Sequence, residues 1–165
     1  MNARLKRQGS QLLWLILSVI IVIADQYSKF LADEYLSYGQ PVRLLPVFDL
    51  TLFYNDGAAF SFLSGAGGWQ RWFFTSISAL VSLVLVVWIS RLKAQEWLLA
   101  IALAMVLGGA LGNLYDRVTL GYVIDFISVH YQQHYFPAFN LADSAITAGA
   151  GLLILDLFLN RESKE

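Results

Sequence analysis

The chain has 165 residues, 58% of them hydrophobic and 14% charged, with two histidines and no cysteine. A soluble domain of this size carries about 45–50% apolar and about 25% charged residues, so this composition points to a bilayer as solvent. A net charge of −1 gives no electrostatic reason for a nucleic-acid partner, and the missing thiols exclude disulfides, thiolate zinc sites and a cysteine nucleophile.

In chain order, a basic head with Arg4, Lys6 and Arg7 leads into the apolar run "LLWLILSVIIVIADQYSKFLA", residues 12–32. It is long enough to cross a core about 30 Å thick, and its end "IADQYSKF" lacks a small-x-small cleavage signal. We read it as an uncleaved anchor rather than a signal peptide. Residues 33–68 follow as an external segment. There "VFDLTLFY" alternates with period two, "NDGA" marks a turn and "AFSFL" follows, which predicts a hairpin on the membrane surface. Further spans are predicted over 69–89, 97–117 and 139–159. A second external segment, 118–138, contains the aromatic-rich "YVIDFISVHYQQHYF", typical of an interface. The expected fold is a mainly α, four-span membrane protein in one domain, with a small external β-hairpin and an interfacial segment.

Orientation follows the basic residues. Arg4, Lys6, Arg7, Arg91, Lys93, Arg161 and Lys164 fall on one face if the chain runs in, out, in, out. Both termini are therefore expected in the cytoplasm. Lys29, Arg43, Arg71 and Arg117 lie at or beyond the other face.

Polar groups then gather at one depth, the external ends of three spans: Asp25 and Lys29, then Asn113, Asp116 and Arg117, and finally Asn140 and Asp143, with Asp125 just after span three. Ionisable groups at membrane depth are costly, about 2.5–3.5 kcal/mol each on insertion scales, and mark function by default. Asp125 in "YVIDF" and Asp143 in "FNLADS" are joined by a short loop through Pro137 that can bring them face to face. Two such carboxylates share one proton, the arrangement of an aspartic protease. Asp143 also fits a plain first-turn charge favoured by the helix dipole, and Asp125 a loop acid in unusually apolar company.

Gly109, Asn113 and Arg117 recur every four residues on one face of span three, where Arg117 suits either carbonyl binding or interfacial anchoring. Gly108 and Gly112 form a small-xxx-small pair for close helix packing. Asn140 precedes Asp143 by three residues and serves as an orienting amide or a cap. Asp25 and Lys29 make an i,i+4 pair, read first as structural.

Three rival readings are weaker. His130 and His134 have the spacing of two zinc ligands on a helical turn but no third ligand in register. Lys29 with Ser28 or Ser61 would make a serine–lysine peptidase, except that a neighbouring acid holds the lysine charged. A proton-coupled transporter would need acids along the bilayer, whereas these cluster at one face.

With "DQYSK" (25–29), "NDGAAF" (55–60), "GGALGNLYDR" (108–117), "VIDF" (123–126) and "FNLADSAI" (139–146) in this order, the chain resembles the lipoprotein signal peptidases, or signal peptidase II. The resemblance spans essentially the whole chain and shows no departure at a position the family needs. It implies Asp125 and Asp143 as the catalytic dyad. Asn55, Asn113, Arg117 and Asn140 are implied to orient substrate or dyad, with Asp25 and Lys29 as a supporting polar pair. It further implies an inner-membrane aspartic endopeptidase with its site at the external face. Its expected substrate is a prolipoprotein carrying diacylglyceryl-cysteine, cut on the N-terminal side of that residue. No cofactor or metal is expected. Membrane lipid and cyclic peptide inhibitors of the globomycin type are the other expected partners, and a monomer suffices.

Overall fold

The computed structural model describes residues 13–57 and 69–162. Four helices in it are long and apolar enough to cross a membrane. They are α1 (Trp14–Tyr35), α2 (Trp69–Arg91), α3 (Trp97–Thr119) and α4 (Leu141–Glu162). Runs of Ile, Val and Leu that would favour strands in water form helices here, because a lone span in hydrocarbon must satisfy its own backbone. Exposure is inverted accordingly. Ile20, Ile23, Leu80, Leu83, Leu157 and Phe158 are exposed, whereas Asp25, Lys29 and Asp116 are buried.

Small residues make α3 the central helix, and it packs against all three others. Its Ala102, Ala104, Gly108, Gly109 and Gly112 are buried. At Gly109 an added Cβ would collide with the Ala142 carbonyl oxygen of α4, and at Gly112 it would stand 2.6 Å from the Asp25 carboxylate. The bare backbone of α3 thus admits one helix and one charged group. Ser18 of α1 donates to the Ala104 carbonyl at 2.8 Å, a second tie across the α1–α3 contact. At the end of the bundle away from the sheet, Leu85, Ile89 and Leu92 pack on Ala100, Leu103, Ala104 and Leu107.

The two external segments build one sheet. Strands β1 (Val42–Leu45), β2 (Phe48–Asn55), β3 (Val123–Tyr131) and β4 (His134–Tyr135) lie in that order, with every pairing antiparallel. The first arm of the predicted hairpin is β2, which also forms a hairpin with the upstream β1. The expected second arm, "AFSFL", lies outside the described residues, as do Arg4, Lys6, Arg7 and Lys164 of the orientation argument. The second external segment is not merely interfacial. Its residues 123–131 pair with β2 over the register Phe48↔Val129 to Asn55↔Val123, interrupted by an irregularity between Leu50 and Phe53.

Helix ends also differ from the expected limits. α1 and α3 run a few residues past 32 and 117, since their polar last turns find partners in the sheet and in each other. α4 starts at Leu141 rather than 139, because Asn140 caps it.

Candidate active site

The chain reverses after β3 and returns alongside it. Phe139 N donates to the Ile127 carbonyl at 3.0 Å, and Ile127 N donates to the Phe139 carbonyl at 2.8 Å. This bridge delivers Asn140 next to Asp125 just before α4 begins. Asn140 then closes a reciprocal cap with Asp143: its Oδ1 accepts from Asp143 N at 2.9 Å, while its own N donates to Asp143 Oδ2 at 3.3 Å. The local rule that an Asn before a helix caps the third residue explains why Asp143 occupies the first turn.

One residue thereby touches both acids. Asn140 Nδ2 donates to Asp125 Oδ1 at 2.8 Å, and its backbone N–H reaches Asp143. Each acid has a second amide donor. Asn55 Nδ2 reaches Asp125 Oδ2 at 2.9 Å, and Asn113 Nδ2 reaches Asp143 Oδ1 at 2.8 Å. Neither donor can turn away freely. Asn55 Oδ1 accepts from Gly57 N at 3.0 Å, and Asn113 Oδ1 accepts from Lys29 Nζ at 3.0 Å. Gly57 has φ 115°, a backbone that favours glycine, so the "NDG" turn fixes the Asn55 amide. Tyr54 beside it bonds Asp33 at 2.7 Å, tying β2 to the end of α1.

Asp125 is 3% exposed, and burial pushes its carboxyl up from 3.8 to about 6. The hydrogen bond from Asn55 opposes that rise, the charge of Asp143 adds to it, and the bond from Asn140 opposes it again. Asp143 is only half-buried, so it forms the more open side of the site. Arg117 lies along α3 from Asn113, with its guanidinium over the Phe74 ring at 5.5 Å. Its Nη1 is 3.5 Å from the Asn113 carbonyl, and Nε makes no hydrogen bond among the described residues. That Nε is buried.

Lys29 pairs with Asp25 Oδ2 and with Asp116 Oδ2, both at 2.8 Å. Asp116, expected in the polar cluster without a role, and Gln26, absent from it, are integral to this network: Gln26 Nε2 donates to Asp116 Oδ1 at 2.7 Å. Their signal in the sequence is spacing, Gln26 three before Lys29 and Asp116 three after Asn113. The expected site residues thus form one continuous hydrogen-bonded set from α1 to α4, with Arg117 at its edge.

His130, His134 and Ser28 have other neighbours in the fold. His130 and His134 sit on paired strands, facing Tyr135 and Tyr131 in register, rather than on a helical turn. His130 stacks on Tyr135 with its Nε2 3.2 Å from the buried Asp49, a partner sequence reading missed. Ser28 Oγ is engaged by the Asp25 carbonyl at 2.8 Å, and Ser61 lies outside the described residues.

Two solved bacterial membrane enzymes share this architecture. One aligns with TM-score 0.81 and 32% identity over 95% of this chain and 92% of its own. The second aligns with TM-score 0.75 and 33% identity over 90% and 92%. Four spans, a sheet above them and buried acids at the junction define a multi-pass membrane enzyme. The family model described as signal peptidase (SPase) II matches residues 17–159. The lipoprotein signal peptidase of Acinetobacter baumannii is 57% identical over 89% of this chain and 84% of its own length. That of Ectopseudomonas mendocina is 61% identical over 91% and 90%. The chain belongs to the signal peptidase II family, the lipoprotein signal peptidases, and is a peptidase acting on prolipoproteins in membranes.

Proposed function

We propose that this peptidase is an aspartic endopeptidase whose dyad is Asp125 and Asp143. The observation that carries the reading is the meeting of both carboxyl groups on the donors of Asn140. In this reading the two acids share one proton. The ionised member takes a proton from water as the water oxygen attacks the scissile carbonyl. The protonated member gives its proton to the carbonyl oxygen, leaving a neutral diol. Collapse of the diol breaks the C–N bond, with a proton passing to the departing amine, and the dyad returns to its single-proton state. The amides of Asn55, Asn113 and Asn140 hold the oxygens in line, while the Arg117 guanidinium serves substrate carbonyls or lipid oxygens.

The bilayer suits this chemistry. With Arg91 and Lys93 on the inner face, the acids lie at the outer boundary, and both termini are cytoplasmic. There a signal helix ends and a diacylglyceryl chain is anchored, so cleavage on the N-terminal side of the lipidated cysteine falls at the right depth. The sheet covers the acids and grips an extended peptide. Globomycin-type cyclic peptides are the matching inhibitors, and one chain suffices.

The test is cleavage of a diacylated precursor by purified protein in lipid, beside its unlipidated twin. The reading predicts turnover of the first alone. Equal turnover of both would remove the lipid from substrate recognition.

A further inference from the structure

Lys29 is 1% exposed and its ammonium has three partners: Asp25 Oδ2, Asp116 Oδ2 and Asn113 Oδ1. An ammonium only donates, so the amide oxygen of Asn113 must face it. The Nδ2 of Asn113 is then committed to Asp143, at 2.8 Å. Each of the two carboxylates beside Lys29 also accepts one backbone N–H. Asp25 Oδ1 accepts from Ala142 N at 2.9 Å, and Asp116 Oδ2 accepts from Ile124 N at 3.3 Å. Ala142 and Ile124 are the residues immediately before Asp143 and Asp125.

A clamp between two spans needs one acid for one lysine. A second buried carboxylate leaves excess negative charge in a dry place, which is costly unless its oxygens are otherwise engaged. Here they hold the backbone next to both reactive acids, and Gln26 steadies the assembly by donating to Asp116 at 2.7 Å and to the Gly112 carbonyl at 3.2 Å. From this geometry we propose that Lys29 and Asp116 are positioning residues for peptide-bond cleavage. Lys29 aims Asp143 through the Asn113 amide, and Asp116 aims Asp125 through the Ile124 N–H. The inference rests on the dyad assignment above.

The experiment compares Lys29→Met, Asn113→Ala, their double variant, Asp116→Leu and Asp125→Asn, purified in lipid. Steady-state cleavage of a diacylated precursor and thermal unfolding are read on each. Misplacing a reacting group by about 1 Å costs on the order of 100-fold, so Lys29→Met should lose roughly that in kcat with KM within about twofold. In the Asn113→Ala background the same change should cost less than about threefold, because both act on one link. Additive losses, or a loss confined to KM or to the folded fraction, would overturn the proposal. Asp116→Leu keeps the branched shape but offers no acceptor to Ile124 N–H, and leaves Lys29 its Asp25 and Asn113 partners. The folded variant should lose roughly tenfold in kcat; an undiminished kcat overturns the role of Asp116 even if Lys29→Met does not fold. Active Asp125→Asn would overturn the dyad itself. Inactive Asp125→Asn with undisturbed Asp116→Leu overturns this inference alone.

Discussion

Replacing Asp125 by Asn should inactivate the enzyme and yet stabilise it above neutral pH. Burial raises the Asp125 carboxyl from 3.8 to about 6. A raised carboxyl contributes its stability in the neutral form. That contribution is complete below about 3.8 and is lost as pH rises through about 6. The span between the two values corresponds to about 3 kcal/mol against the folded state at pH 8, and to about 1.5 kcal/mol at pH 5. Asn at this position carries no such penalty. It does present one N–H to two donors, Asn55 and Asn140, whose amides are fixed by Gly57 N and Asp143 N. One hydrogen bond is therefore lost, worth about 1 kcal/mol or somewhat more. The net expectation is a gain of about 1–2 kcal/mol at pH 8 that fades towards zero near pH 5. Thermal unfolding in detergent at both pH values reads it directly, as a melting temperature higher by a few degrees at pH 8. A difference between variant and wild type that does not move with pH, or moves the other way, would refute the assignment of a buried, reluctant carboxyl to Asp125.

Other consequences are as sharp. Since the competent dyad holds one proton, kcat/KM should fall roughly tenfold per unit as pH rises beyond about 6, where that proton leaves; a flat profile to pH 9 contradicts a shared proton. Gly109→Ala drives a Cβ into the Ala142 carbonyl and to 2.7 Å from Ile146 Cγ1, so α4 must retreat with Asp143. A loss of about 1–3 kcal/mol in unfolding, with reduced cleavage, is expected. Asn140→Ala removes the cap of α4 and the link between the acids. It should cost about 1 kcal/mol of stability but more than 100-fold in kcat, which melting and cleavage assays separate. Chelators should leave cleavage intact, and recovery of lost activity by added metal would argue for a metal enzyme.

The spans were legible because hydrocarbon imposes a length and a composition that no local feature overrides. The sheet was less so. The strand "VIDFISVHY" buries Val123, Ile124, Asp125 and Phe126 consecutively, so its first half lacks the alternation that announces a strand. Its partner β2 lies some seventy residues upstream, beyond any local window, and the four residues of β1 are all exposed. Within the site, the Asn140–Asp143 cap is readable from an i,i+3 spacing. The contact between Asn140 and Asp125 depends on the return of Phe139 along β3, which no pattern announces. Asp25 and Lys29 were visible as a pair, but Asp116 completes them from another span. Such groups are recognisable in sequence as expensive, and only the fold reveals what they hold.

The most direct test sets wild type, Asp125→Asn and Asp143→Asn side by side on a diacylated precursor in bilayers, with melting curves confirming that all three are folded. The two-acid account predicts cleavage by the wild type and a loss of at least about 1,000-fold in each variant, because neither acid can both take and give the proton alone. Turnover by either variant within about tenfold of the wild type would contradict it.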